Sequence, residues 1–533
     1  METRSHYFPS SHWLAGLSHE VKSLVLVAII VVAYSTFRGS VLLQNIAWGW
    51  TYLSFVTLIS VVGLGVKYPR HHPSITLVAR SILAVFVVYL LLQKLHGLTP
   101  IEIEKHPSPT IAFILRYGGW LAIIAGIVGL WRPSAGFFCL AMVHAQKLAQ
   151  GFLGGYYITW IDYLALVEVG QFLILCMLAG KVAGIMKDDT QEQRGSLRFP
   201  EIALLFGIAI HFANYFWSAV AKIVLPGGWT SWLTDNPTHA LILAANEGGF
   251  SPLSTATGLA EMAYHFFSGP GVLLLNVVVL LSQFASVVAI AYRRAIISVT
   301  LIYDAQHIAI FLLTGIFFWK WILLNFAIVA AASMLRQKNF PRLTTICCML
   351  MVVAAPMFFT IAKLGWYDTH SFNNLKITAV LKDGREIPLP SNYFFEYSVL
   401  FAQQYPGRPH LGHFSTLTYG ATVDHEIFQS ANSCAQTFDD QKLSQSPGRE
   451  AAERLIRAHH QRLLRDENAS VVGNFDLYPH HIWSNPSIYR DATRIDPREI
   501  VSYRMTVSSV CFEASPSGPR RIEQKESFYD IAL

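Results

Sequence analysis

The first two thirds of the chain is a succession of apolar runs of about 18 to 25 residues, each long enough to cross ~30 Å of hydrocarbon as a helix. They fall at 23–37, 41–66, 74–94, 110–131, 134–153, 161–186, 200–224, 270–291, 296–318, 319–335 and 344–363. Hydrophobic residues make up 53% of the 533, and charged residues only 14%. Soluble domains carry about 25% charged residues. The sequence therefore predicts an all-α polytopic membrane domain of about eleven helices over 23–363, after a cytoplasmic segment 1–22. The first run lacks a small-residue cleavage site and is followed directly by others, so it reads as a span rather than a signal peptide.

Eleven spans place the two termini on opposite sides, and basic loop residues choose between the orientations. With the N-terminus inside, thirteen Lys and Arg residues fall in inside segments, against Arg38, Lys94, Lys105 and Lys320 outside. This predicts a multi-pass protein with a cytoplasmic N-terminus and a periplasmic or lumenal tail. The net charge of +6 belongs to the loops, and no nucleic-acid partner is expected; the expected surroundings are membrane lipids.

Near Lys363 to Asp368 the composition changes, and 364–533 reads as a small exported α+β domain. LKITAVLKDGREIPLP (375–390) has the alternation of a hairpin with Asp383-Gly384 at its turn. REAAERLIRAHHQRLLRD (449–466) reads as an amphipathic surface helix, and SYRMTVSSVCFEA (502–514) as a strand. The pairs His459/His460 and His480/His481 are expected to be solvated, and Asn468 begins a possible glycosylation sequon. Cys434 and Cys511 lie in this tail, where a disulfide is plausible. Cys139, Cys176, Cys347 and Cys348 read as small core residues. No Cys/His spacing suggests a metal. Between the seventh and eighth spans, Leu225–Gly269 is too polar for a span and too apolar for a simple loop, and predicts interfacial or re-entrant helices.

Polar side chains inside the apolar runs are expensive in lipid and mark candidate functional positions. The run 200–224 carries His211, Asn214, Ser218 and Lys222, whose spacing of three, four and four puts them on one helix face. Asp304 and His307 share a face of another run, with Thr314 two turns on. His144/Lys147 and Glu168/Gln171 form similar pairs, and Asp162 and Arg116 lie near outer ends. With the orientation above, Lys222, Lys147, Asp162, Glu168 and Arg116 fall in the outer half of the membrane, which predicts an outward-opening polar cavity; a catalytic role for the stripe requires Lys222, His211 and His307 to converge. The plain alternatives are helix-holding pairs for Asp304/His307, a snorkelling Lys222, and an interfacial belt for Trp217, Trp229 and Trp232.

The run HFANYFWSAVAKI, followed by a tryptophan and a polar turn, resembles the HTTM family, the membrane domain of vitamin K-dependent gamma-glutamyl carboxylases and their bacterial relatives. Tyr303-Asp304-Ala305-Gln306-His307 with Thr314-Gly315-Ile316-Phe317-Phe318 looks like the family's D-x-x-H and G-x-F helix. GGYYITWIDYLAL is similar to its outer-loop segment. The similarity covers about residues 20–335. It implies an enzyme of carbon–carbon lyase or ligase type acting on glutamate in an exported peptide or protein. Lys222 would be the catalytic base, with His211, Asp304 and His307 as orienting or proton-handling partners.

The resemblance further implies a reduced, vitamin K-like quinone with oxygen and carbon dioxide as co-reactants. Trp217, Tyr215, Asn214 and His144 would bind the quinone. Burial disfavours the charged form of an amine, which is what lets a lysine act as a base. Two departures stand out. The carboxylases have adjacent lysines where Ala221 precedes Lys222 here, and their lumenal domain is larger than this tail. The same buried charges, with the broken segment after Pro226, give a second reading as a proton-coupled transporter, against which no inverted repeat is visible in the sequence; a third is a non-catalytic immunity or scaffold protein whose tail binds a partner.

Overall fold

The structure is a computed structural model that describes residues 17–42, 54, 56–61, 63–69, 71–95, 108–151, 161–185, 197–253, 258–403, 418–434, 449–465, 481–485, 487–513 and 519–533. Its helices are α1 His19–Leu42, α2 Pro73–Leu95, α3 Pro109–Gly129, α4 Pro133–Gly151, α5 Ile161–Val182, α6 Phe199–Ile223, the short α7 Ser231–Asp235, α8 Ala240–Glu247 and α9 Leu259–Phe267, then α10 Pro270–Ala289, α11 Arg293–Thr314, α12 Trp319–Ser333 and α13 Arg342–Ala354. After them come β1 Ser371–Leu381, β2 Glu386–Leu389, α14 His425–Asn432, α15 Arg449–Arg465, β3 Ile500–Glu513 and β4 Arg520–Ala532.

Among the described residues seven helices, α1, α2, α3, α5, α6, α10 and α11, are long and apolar enough to cross a membrane. A multi-pass membrane protein with a small C-terminal antiparallel sheet follows from these elements. The helices α4, α12 and α13, expected as spans, have 19, 15 and 13 residues. The expected span 41–66 lies largely outside the described residues. The run 344–363 does not continue as a helix: Pro356 lies in a single 3-10 turn at Ala355–Met357, and residues 360–366 are extended. Proline lacks the amide proton that a further helical turn needs.

The helix α6 is the centre of the bundle. Its apolar window is 89% buried, against 17% for α10 and 22% for α11, which present wide outward faces. It starts cleanly because the Glu201 carboxylate accepts the Arg198 N–H at 2.9 Å and Pro200 occupies its first turn, both helix-start devices. It packs against α5, α10 and α13, burying Phe199, Leu204, Ile208 and Phe212 in the main core.

The tail carries a four-stranded antiparallel sheet ordered β2-β1-β3-β4. The expected hairpin, helix and strand are all present. Gly384 sits in the β1–β2 turn at φ 82°, the left-handed conformation that glycine allows. Ile377, Ala379, Tyr503, Met505 and Ile531 pack under α15 through Leu455 and Ile456. Cys434 and Cys511 form a disulfide that fastens the end of α14 to β3. The segment 225–253, with α7 and α8, links the two parts: Ala244, Ala245 and Phe250 share one apolar cluster with Phe372, Ile482 and Val510.

One tail expectation needs correcting. His459 and His460 are buried, at 1% and 5% exposure, because the amphipathic helix turns them onto Tyr393 and Tyr503. The polar edge of such a stripe can be core when tyrosine hydroxyls supply partners, as Tyr503 does for His460 Nδ1 at 2.9 Å. His480 and Asn468 lie outside the described residues.

Candidate functional site

The polar stripe of α6 serves two different neighbourhoods. Toward its C-terminal end it faces an extended segment, 360–364, lodged among the helices. Backbone groups in such a position need partners that lipid cannot supply. The α6 side chains provide them: Ala362 N–H donates to Asn214 Oδ1 (2.8 Å), Leu364 N–H to Ser218 Oγ (3.1 Å), and Lys222 Nζ donates to the Leu364 carbonyl (2.7 Å). From α5, the Glu168 carboxylate accepts the Thr360 N–H (2.6 Å) and hydroxyl (2.7 Å) and pairs with Arg38 at 2.9 Å. Gly365 continues the segment where a Cβ would lie 2.6 Å from the Ala221 backbone carbon, so the chain can lie flat on α6 only without a side chain.

Lys222 is saturated. Its Nζ also donates to Gln283 Oε1 (3.2 Å) and the Ser218 carbonyl (3.3 Å), and it lies 5.3 Å from the centroid of the Trp232 ring. Three acceptors match the three protons of an ammonium. Just beyond, Asp368 is buried, accepts from Asn236 Nδ2 and Trp366 Nε1 at 3.0 Å each, and receives Lys222's field. Burial pushes this carboxyl up to about 7, against the opposing pull of those two donors and Lys222.

The neighbourhood nearer the middle of α6 is unlike this. His211 donates from Nε2 to Asn325 Oδ1 (2.8 Å). Asn325 Nδ2 donates to Asp304 Oδ1 (2.8 Å) and to the Tyr215 hydroxyl oxygen (3.1 Å). Three helices, α6, α11 and α12, thus meet through one asparagine. Aromatic rings wall the array. Tyr215 stacks on Tyr303 at 3.6 Å, Trp321 lies 5.0 Å from His211, and His307 lies 5.9 Å from Tyr215 and 5.0 Å from Phe318.

Four buried polar atoms of this array have no hydrogen-bond partner among the described residues: His211 Nδ1, Asp304 Oδ2, His307 Nδ1 and Trp321 Nε1. Buried polar atoms are normally satisfied, and each exception calls for a reason. With Nε2 as donor, neutral His211 presents a lone pair at Nδ1. The array therefore offers two acceptors, a tryptophan N–H donor and an ambivalent imidazole, all against flat apolar surfaces.

The other expected site residues are dispersed. Lys222 is three turns from His211, about 16 Å along the helix, so the expected convergence of Lys222 with His211 and His307 is not what the fold provides. Tyr215 joins the inner array, whereas Asn214 serves the extended segment. Trp217 is half-buried on another face and donates to the Val353 carbonyl at 3.1 Å. His144 is buried, with Arg38 the charged group acting on it, beside the Glu168 pair rather than the array.

The expectation of one outward-opening cavity does not hold for Arg116, which is exposed on the side of α3, nor for Glu168, which is closed in by Arg38 and Thr360. The Asp162 side chain lies outside the described residues. Among the described residues no group of three or more His, Cys, Asp or Glu could hold a metal ion. Sequence reasoning missed Asn325, Trp321 and Asp368. A lone asparagine in WKWILLNFAIVAAAS was a usable signal; Asp368 was not, since its burial depends on the fold of Leu225–Gly269. No family model, no curated protein and no solved structure matches this chain.

Proposed function

We propose that this chain is an integral membrane enzyme that uses a quinone-type ligand at the array of His211, Asn325, Asp304, His307 and Trp321, and that it acts on an exported peptide or protein. The observation that carries this reading is the unspent bonding capacity of four buried polar atoms set among aromatic rings. Flat rings with a few placed polar groups are what a planar ligand bearing oxygen atoms requires. The resemblance to the HTTM carboxylases supports the same reading, because Asp304 and His307 are its D-x-x-H residues.

A reduced quinone would lie against Tyr215, Trp321 and Phe318, and it supplies, with oxygen, the basicity needed to remove a carbon-bound proton from glutamate. The chain's own part is proton handling. Trp321 Nε1–H donates to a ligand oxygen and fixes its orientation. Asp304 Oδ2 accepts a hydroxyl proton, and Asn325 holds Asp304 and His211 in one arrangement so that neither must reorganise. His211 Nδ1 is the second acceptor. Preorganised groups of this kind lower a barrier because they do not move when charge develops.

Lys222 is assigned to holding the segment 360–364, with the base role moved to Asp304 and His211. The placement of about eleven crossings with a cytoplasmic N-terminus belongs to the same proposal, supported by the thirteen-to-four distribution of basic residues. The test is carboxylation of a glutamate-containing peptide by membranes given reduced naphthoquinone, oxygen and carbon dioxide. Product that disappears with Asp304→Asn and survives Lys222→Met supports the assignment; equal product from wild type and Asp304→Asn refutes it.

A further inference from the structure

The C-terminal part reaches the wall of the array at Phe318. The helix α11 ends at Gly315, which has φ 73°, and residues 481–485 then run antiparallel to 315–317. Phe317 N–H donates to the His481 carbonyl (2.7 Å), Trp483 N–H donates to the Gly315 carbonyl (3.0 Å), and Ile316 faces Ile482. The far end of this strap is also fixed: Asn485 N–H donates to the Gly249 carbonyl (2.8 Å) and Asn485 Nδ2 to the Ser251 carbonyl (2.9 Å). A side chain at Gly315 would press into the carbonyl oxygens of Phe250 and Trp483.

This anchoring brings a histidine of the tail to the membrane domain. The His481 ring packs edge-on against Phe318 at 4.9 Å, and Phe318 packs against His307 at 5.0 Å. His307 is buried and His481 is half-buried, so the file of three rings runs from the array toward the surface of the C-terminal part. The titratable groups around His307 are His211 on α6, Asp304 on its own helix and His481 on the strap. The Tyr215 ring of α6 also lies 5.9 Å from His307, and Phe318, just before α12, packs on it at 5.0 Å; Lys320, at the start of α12, lies instead over Tyr89 and Trp319.

We infer that His481 is a further residue of the intramembrane site, a positioning residue supplied by the C-terminal part, which fixes His307 through Phe318 and walls the array from water. This rests on the reading of the array as the functional site. It also explains why a soluble-type sheet and an intramembrane site belong to one chain: the site is incomplete without residues 481–485. Substitutions in the strap then alter the environment of His307 without touching the bundle.

The test uses the full chain in lipid nanodiscs and follows, by mass spectrometry, exchange of the carbon-bound ring hydrogen of each histidine for deuterium. Opening of a local wall admits water to the groups behind it. With His481→Ala, exchange at His307 is expected to rise about fivefold or more, while His460 in the tail core keeps its wild-type rate. Gly315→Val, which lifts the strap from its other side, gives the same change at His307. An unchanged His307 rate in both variants, with His460 still protected, overturns the inference. A parallel run of the wild-type chain with 2-methyl-1,4-naphthoquinone tests the site itself. Slower exchange at His211 and His307 supports a ligand there, and absence of protection counts against the ligand reading while leaving the His481 result to be judged by the first comparison.

Discussion

The two polar neighbourhoods along α6 use similar residues to opposite ends. Around the 360–364 segment, Asn214, Ser218, Lys222, Glu168 and Arg38 are spent on backbone groups and on one another. Around Asn325, four buried polar atoms are left over. Near-completeness is the mark of a strut: Arg38 Nε alone of these groups lacks an aligned hydrogen bond among the described residues, and it is ion-paired with Glu168 at 2.9 Å. Residual capacity is the mark of a site, since only a further partner removes its cost. Charge is the poorer guide, because the most obvious intramembrane cation, Lys222, belongs to the complete set.

The largest effect that would break this contrast is in the strut. Arg38→Met strands a buried Glu168 carboxylate, and removing one partner of a buried pair costs about 3–5 kcal/mol. Thermal unfolding in detergent should show a large loss, with a smaller one for Glu168→Gln, which still accepts from Thr360. An Arg38→Met protein as stable as wild type would mean the segment is held by something else.

Next in size is a double dissociation. Lys222→Met removes three hydrogen bonds, one to the segment at Leu364 and two to Gln283 and Ser218, and is expected to cost about 1–3 kcal/mol of stability, leaving naphthoquinone binding in nanodiscs within twofold of wild type, about 0.4 kcal/mol. Asp304→Asn should do the reverse, weakening binding at least tenfold, about 1.4 kcal/mol, with little change in unfolding. Tryptophan quenching by the quinone reads the first quantity and chemical denaturation the second.

A smaller effect separates the Asp368 end of the strut by pH. Burial lifts the Asp368 carboxyl to about 7, above the ~3.9 of an unfolded aspartate. A raised folded value means stability is fully present below about pH 4 and declines as pH rises through about 7, by about 1.4 kcal/mol per unit at most. His239 and His459, held low at about 4 and about 3 by burial, act in the opposite sense and destabilise as pH falls below about 6.5. The difference between wild type and Asp368→Asn across pH 4–8 isolates the carboxyl, and a difference that does not vary with pH would remove it from the junction's electrostatics. The smallest effect is expected at Arg116, exposed on α3. Arg116→Gln should change stability by less than about 0.5 kcal/mol and leave quinone binding unaltered.

Helix periodicity made much of this legible from residues alone. The stripe on 200–224, the Asp304/His307 face, the hairpin at Asp383-Gly384 and the amphipathic helix over 449–465 follow from spacings of three, four and two. What spacing cannot report is which partner each polar face meets. Lys222 and His211 share a stripe, yet one faces an extended segment created by Pro356 and Gly365, and the other faces Asn325 on a helix more than a hundred residues on. Lys222 and Glu168, grouped by charge counting, do meet one segment, 360–364, but as parts of the strut rather than of a cavity. Asn325 was visible as a lone amide in an apolar helix; its role as the joint of three helices was not.

The most direct measurement is a cryo-electron microscopy map of the full chain in nanodiscs with 2-methyl-1,4-naphthoquinone bound. Ligand density between Trp321, Asp304 and His307, with Lys222 still bonded to Leu364 and Gln283, is the expected result. Density beside Lys222 with the 360–364 segment displaced, and none at Trp321, would contradict the division of α6 into a strut and a site.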